Sequence, residues 1–213
     1  MKDPGRIMWL LSLLVVGMMY DSYGQQRLMY TQYMFNGLAL NPAYAGSDKY
    51  LNATLQARQQ WLGFSGAPNS QAFSAHQPLR NKKVGLGILL ERESMAVSDA
   101  YGIYAMYAYK IKVRNGVFSM GLQAGITSYN QRLTNLNLPG DIVDPSFSQN
   151  TSYVQPNVGV GVYYNNRDYY IGLSVPYMLQ NSLDPGNMIL TKEVRHYYLI
   201  GGYLLEISPT LKL

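Results

Sequence analysis

The sequence predicts an all-β fold, an antiparallel transmembrane β-barrel of outer-membrane type with about eight strands, and three observations lead there. Apolar and polar side chains alternate with period two through most of the chain after residue 50, the pattern of a strand with a different solvent on each face. The 213 residues include 20 Tyr and 20 Gly, and only 14% are charged, where soluble domains carry roughly 25%. Few charges and many tyrosines suit strands that face lipid outward, with aromatic girdles at both interfaces. After Gly24 no stretch approaches the roughly 18 uninterrupted apolar residues of a spanning helix, so any membrane crossing falls to strands. A soluble β-sandwich would also alternate, but Tyr, Ile, Leu and Met on the outward rows would leave it with two apolar faces.

Taken in order, residues 1–24 have the form of a secretory signal peptide. Lys2 and Arg6 make a basic start, residues 7–19 an apolar run interrupted only by Ser12 and Gly17, and Ser22-Tyr23-Gly24 a small-residue cleavage site. Cleavage after Gly24 leaves Gln25 as the mature N-terminus and directs the chain to the cell outer membrane. The run is too short to span a bilayer comfortably as an anchor. Its loss removes Lys2 and Arg6 together with Asp3 and Asp21, so the net charge stays +5. There is no cysteine, hence neither a disulfide nor a lipid-modified N-terminal cysteine.

Residues 25–49 precede the first strand and carry Tyr30, Tyr33, Met34, Phe35 and Tyr44, with a turn at Asn41-Pro42-Ala43-Tyr44-Ala45-Gly46. Such a segment either plugs the barrel, docks a periplasmic partner, or packs under the barrel base. The barrel domain is then 50–213. In residues 50–60, Leu51, Ala53, Leu55 and Ala57 point one way, and Asn52, Thr54, Gln56 and Arg58 the other. Arginine is costly in lipid, so the second row lines the lumen.

A glycine- and proline-bearing turn over 63–69 leads to a strand around 71–77, and Asn81-Lys82-Lys83 makes a short polar turn. Val84, Leu86, Ile88 and Leu90 then alternate with Gly85, Gly87, Leu89 and Glu91. Tyr101, Ile103, Ala105, Tyr107 and Tyr109 form another outward row. Arg114-Asn115-Gly116 carries the Asn-Gly hairpin signature. Phe118, Met120, Leu122, Ala124 and Ile126 oppose Ser119, Gly121, Gln123, Gly125 and Thr127, the cleanest alternation in the chain.

A long connection over 130–155 follows, then Val158, Val160, Val162 and Tyr164, a polar turn at Asn165-Asn166-Arg167-Asp168, and Tyr169, Ile171, Leu173 and Val175. After a second long connection over 181–192, a last strand lies within 194–206. Short turns alternating with longer loops are the pattern of outer-membrane barrels, with the long loops outside the cell. Inward glycines (Gly85, Gly87, Gly121, Gly125, Gly159, Gly161) either relieve crowding on the concave side of a curling sheet or let another segment approach closely. The chain ends Ser208-Pro209-Thr210-Leu211-Lys212-Leu213, without the terminal aromatic strand common in such barrels. Either eight strands close a small barrel with a periplasmic tail, or they form part of an incomplete larger one.

Several blocks carry a further signal: QYMFN at 32–36, NPAYAGS at 41–47, QWLGFSGAP at 60–68, SQAFSAHQPL at 70–79, PNVGVGVYY at 156–164, YIGLSVPYML at 170–179 and RHYYLIGGY at 195–203. With these blocks the chain resembles the PorP/SprF family, outer-membrane β-barrel components of the type IX secretion system of gliding and pathogenic Bacteroidetes. The resemblance implies a non-enzymatic part in secreting a partner protein or holding it at the surface, typically an adhesin with a C-terminal sorting domain, alongside other type IX components and outer-membrane lipid. It also implies further strands than are visible here.

Candidate partner-binding residues are Tyr33, Phe35 and Tyr44 in the lead-in segment, Trp61 and Phe64 in the first turn, and His76 on the second strand. Aromatic residues in ordered loops give contact area at low entropic cost. His76 shares a strand face with Ser74 and Ser70, which raises a barrel-wall hydrolase as an alternative. No strained nucleophile turn or orienting carboxylate accompanies them, and a lumen histidine held by hydrogen bonds accounts for the pattern better. His196, beside Arg195, reads as interfacial or luminal. Asp141, Asp144 and Asp184 sit in Asp-Pro or Gly-Asp turns without the spaced oxygens of a calcium loop, so no metal or other cofactor is implied. Glu91, Arg92 and Glu93 suggest an ion network at a strand end. Lysines are scattered over strand ends, which argues against a nucleic-acid surface. A small porin-like channel remains the alternative from the transport class.

Overall fold

A computed structural model of the chain describes residues 33–135, 149–181, 193–208 and 211–212. The signal segment and residues 25–32 lie outside the described residues, as do the aspartate turns at Asp141, Asp144 and Asp184. Eight antiparallel strands form one meander in which every strand pairs with its sequence neighbour: β1 (Asn52–Gln59), β2 (Asn69–Pro78), β3 (Val84–Met95), β4 (Ser98–Val113), β5 (Gly116–Gln131), β6 (Thr151–Asn165), β7 (Tyr169–Val175) and β8 (Tyr198–Tyr203). Among the described residues β1 and β8 do not pair with each other, so the sheet curls into a half-barrel with two edges. A separate ribbon pairs β9 (Glu206–Ser208) with β10 (Leu211–Lys212).

The alternation read from the sequence is realised strand by strand. In β4, Gly102, Tyr104, Met106 and Ala108 are buried, while Tyr101, Ile103, Ala105, Tyr107 and Tyr109 are exposed. In β5, Ser119, Gly121, Gln123 and Thr127 are buried and Met120, Leu122 and Ile126 are exposed. The exposed rows line up across strands: Leu90 pairs with Ile103 and Ile103 with Ile126, while Tyr107 pairs with Leu122 and Leu122 with Val160. The convex face is therefore a continuous apolar surface, unlike the scattered apolar residues of a water-facing domain. No helix among the described residues is long and apolar enough to cross a membrane.

Boundaries differ from expectation in several places, among them the β7–β8 connection, which spans more than the expected 181–192 because β7 ends at Val175 and β8 begins at Tyr198. The connection read as 130–155 is shorter, because β5 runs on to Gln131 and β6 begins at Thr151. Pro156 obscured that: proline cannot donate to a ladder and usually disqualifies a central strand. Here β7 pairs with β6 only from Val160 on, and Pro156 lies past that point, paired with Ile126 on one side. Its carbonyl accepts the Asn181 side-chain amide at 3.0 Å instead of a strand bond.

A further difference concerns turns. Val113 pairs with Gly116, so the β4–β5 reversal is made by Arg114 and Asn115, one residue before the Asn-Gly position, with Arg114 at φ +47°. Gly116 serves packing: a Cβ there would meet the Tyr164 hydroxyl and the Asn165 carbonyl. The β3–β4 reversal at Ala96-Val97 carries no usual turn residue; Ala96 sits at φ +52° and its N–H donates to the Gly66 carbonyl at 2.8 Å. A contact with the preceding hairpin holds that turn.

Candidate functional site

The concave side of the half-barrel is occupied by the chain's own lead-in segment. A 3₁₀ turn at Tyr33–Phe35, a helical turn α1 (Gly37–Leu40) and a second 3₁₀ turn at Pro42–Tyr44 run beneath β3 to β7. Local chemistry shapes it: the Asn41 side chain accepts the Ala43 N–H at 2.9 Å, and Pro42 fills the first helical position, where its missing N–H costs nothing. Leu38, Asn41, Ala43 and Ala45 are each at most 1% exposed. Leu38, Ala39 and Ala45 build one apolar cluster with Leu89, Tyr104, Met106 and Ala108 of the wall.

The wall accommodates this segment because it lacks side chains along the path. A Cβ at Gly85 would run into the Ala45 carbonyl, one at Gly121 into the Pro42–Ala43 peptide, and one at Gly161 into the Asn41 carboxamide. Close approach of a second segment is thus the role of these three inward glycines. Gly125 and Gly159 make room differently, for the Ile103–Tyr104 backbone and for Pro176.

Polar bonds fix the position in a setting where each unpaired group would be costly. Asn41 Nδ2 donates to the Val162 carbonyl at 2.9 Å and to the Leu173 carbonyl at 3.4 Å, bridging β6 and β7. Ser174 Oγ donates to the Leu40 carbonyl at 2.6 Å. Asn36 takes a hydrogen bond from Ser74 Oγ at 2.8 Å and gives one to Gln56 at 3.1 Å, tying the segment to β1 and β2. Lys110 Nζ donates to the Gly46 carbonyl. The Gly46 N–H donates to His76 Nδ1 at 3.0 Å, which makes His76 a neutral acceptor whose proton sits on Nε2, 3.8 Å from Asp48. Tyr44 packs edge-on against both His76 (centroids 5.3 Å apart) and Tyr163 (5.4 Å). Burial holds the Tyr44 phenol above its ordinary pKa, so it stays neutral.

A second polar layer lies further along the concavity. After β7 the chain turns back over β6: Met178 N–H donates to the Val158 carbonyl at 2.8 Å, and Asn157 both receives from Leu179 N–H and donates to its carbonyl at 3.1 Å. Glu193, 5% exposed, accepts from the Tyr129 hydroxyl at 3.2 Å and from Asn157 at 3.4 Å. Glu91 accepts from the Tyr177 hydroxyl at 3.2 Å, and Arg92 lies over the Tyr101 ring on the convex side. Of the expected Glu91–Arg92–Glu93 network, Glu91 and Arg92 thus find separate partners on opposite faces of the sheet.

Among the described residues, a cavity opens at each mouth. One of about 600 Å3 lies at the end of the β2–β3 and β4–β5 turns, among Asp48, Lys82, Lys83 and Lys112. The other, of about 530 Å3, lies at the opposite end among Arg58, Trp61, Glu93, Asp99 and Tyr129.

The candidate residues therefore fall into separate places. Tyr44 and His76 touch each other inside the wall. Phe35 is exposed at the start of the inserted segment, where its carbonyl accepts a long bond from Thr54, and Tyr33 opens the same turn. Trp61 and Phe64 are exposed in the β1–β2 turn at the far mouth, with Trp61 at φ +47°. Ser74 and His76 do share the concave face, but the Ser74 proton goes to Asn36 and His76 Nδ1 to Gly46, so they are not arranged as nucleophile and base. Asn41, Asn36 and Lys110, which do most to hold the segment, were not singled out by sequence. The Asn-Pro pair at 41–42 was the one available signal, and it reads equally as a surface turn.

A strand sheet with a continuous apolar face fits a membrane protein, and the comparison with known proteins agrees with that. Searches of curated proteins and of solved structures found no match. The family described as "Type IX secretion system membrane protein PorP/SprF" matches residues 22–213. The chain belongs to this PorP/SprF family of type IX secretion system membrane proteins.

Proposed function

We propose that this protein is an outer-membrane component of the type IX secretion and gliding machinery that assists secretion or surface attachment of a partner protein, such as an adhesin-like cargo with a C-terminal sorting domain. A signal peptide over 1–24 exports it, and residues 25–49 act as a plug ahead of the barrel domain. The observation that carries the reading is the pairing of a continuous apolar convex face with a concave face filled by the chain's own segment, since a wall built that way suits a lipid-embedded scaffold better than an open pore. Partner contacts are assigned to the exposed aromatics Trp61 and Phe64 at one mouth and Phe35 in the lead-in segment.

The test is a deletion strain complemented with this chain, with type IX cargo followed in the medium and at the cell surface. Loss of secretion on deletion, restored by complementation, supports the role. Robust solute flux through the protein in planar bilayers, with secretion intact in the deletion strain, would establish a porin-like channel instead.

A further inference from the structure

The mouth at the β2–β3 and β4–β5 turns has a charge pattern that the secretion reading leaves unused. Its cavity of about 600 Å3 is lined by Lys49 from the lead-in segment, Lys82 and Lys83 from the β2–β3 turn, and Lys110 and Lys112 from β4, against the single carboxylate of Asp48. Lys110 and Lys112 fall on the same side of β4 as the buried Tyr104, Met106 and Ala108, so they point into the concavity and away from the convex apolar face. Among the described residues, none of Lys49, Lys82, Lys83 and Lys112 forms an ion pair. Asp48 faces His76, and Lys110 is committed to the Gly46 carbonyl. Four lysines outside any described ion pair thus line a water-accessible hollow that holds one carboxylate, and a positive rim of this kind favours an anionic partner.

We infer that this mouth is a docking site for an extended acidic polypeptide segment of a partner protein. A chain of Asp and Glu side chains presents carboxylates at spacings that several lysines on different elements can meet together. A hollow of this volume admits a few residues of extended peptide. The concave placement favours a water-soluble chain over a lipid headgroup, which would approach from the convex side.

The test uses the full chain in detergent micelles and a fluorescent ten-residue Asp/Glu peptide, with an Asn/Gln peptide of equal length as control. Two double variants of equal net charge are compared. Lys83→Gln with Lys112→Gln removes charge from the cavity, whereas Arg80→Gln with Arg114→Gln removes it from exposed turn positions of the same rim that do not line the cavity. Saturable binding of the acidic peptide, weakened about fivefold by the lysine pair, as loss of two exposed ion pairs would give, and little changed by the arginine pair, is the expected result. Equal weakening by both variants would reduce the effect to general attraction and overturn the site. So would absence of binding, or displacement of the peptide by phosphatidylglycerol vesicles but not by phosphatidylcholine vesicles. Because binding is read on the isolated chain, failure here leaves the secretion role standing, and loss of that role leaves the docking site standing.

Discussion

The backbone N–H of Gly46 donates to Nδ1 of His76 at 3.0 Å, which joins the end of the lead-in segment to the last part of the second strand and keeps the imidazole neutral. His76 also carries the Tyr44 ring on its face. Replacing it with alanine leaves a buried N–H without an acceptor, a loss of about 1–3 kcal/mol. His76→Gln, which keeps a carbonyl acceptor, is expected to recover part of that. Urea unfolding in micelles followed by tryptophan fluorescence gives both numbers, and equal stability of the alanine variant and the parent would refute the role assigned to this bond.

Asn41 is completely buried and its carboxamide serves three backbone groups, on β6, on β7 and at Ala43. Asn41→Asp turns the donor that meets two carbonyls into an acceptor, and the resulting repulsion is expected to cost about 3 kcal/mol or more. Asn41→Ala should fall short of that. The order of the two midpoints in the same unfolding assay is the check.

Wall glycines predict a positional contrast. Gly85→Ala and Gly121→Ala put a methyl into the backbone of residues 42–46, whereas Gly201→Ala on β8 meets only the Tyr170 carbonyl at an ordinary 3.4 Å. Overpacking of this kind costs about 1–3 kcal/mol. Hydrogen exchange by mass spectrometry should show faster exchange across 37–46 in the first two variants and an unchanged rate in the third.

The convex face can be tested with charge. Leu122 lies mid-strand and is 59% exposed, and arginine there is expected to cost about 2–4 kcal/mol if the surroundings are lipid. Trp61→Arg, in a turn, should cost little. Refolding yield into liposomes, measured by heat-modifiable gel mobility, separates the cases; equal yields would argue that Leu122 does not meet lipid.

Trp61 and Phe64 are 67% and 76% exposed, so Trp61→Ala with Phe64→Ala is expected to leave stability within about 0.5 kcal/mol of the parent while lowering cargo secretion. Cargo in the culture medium, normalised to the amount of this protein in the membrane fraction, is the readout. Normal secretion by the variant would move the partner surface elsewhere.

Sequence revealed the fold where each residue's solvent was decided locally. The alternation in β4 and β5 needed only the rule that Ile103 or Leu122 faces one medium and Tyr104 or Gln123 another. The reversal at Ala96-Val97 was not legible, because a distant carbonyl at Gly66 stabilises it rather than its own residue types. Nor was the extension of β6 past Pro156, whose tolerance depends on where β7 stops pairing. The site was legible in part: the wall glycines admitted two explanations, and contacts with Ala45, Ala43 and Asn41 select close approach for Gly85, Gly121 and Gly161. That choice could not be made from one strand's pattern, since the partner atoms lie as far as 120 residues away in the chain, as Asn41 does from Gly161.

The bond from Ser174 to the Leu40 carbonyl closes a loop of 134 residues, and Asn41 reaches Leu173 across 132. Every such contact is non-local, so closing it costs chain entropy before it returns any stabilisation. The lead-in segment, though it precedes every strand, is therefore among the last parts to be secured, since its bonds wait for β6 and β7 to arrive. Assembly of this protein should consequently be slow and all-or-none, with the unfilled concave wall of the early strands as the state most exposed to misassembly and proteolysis.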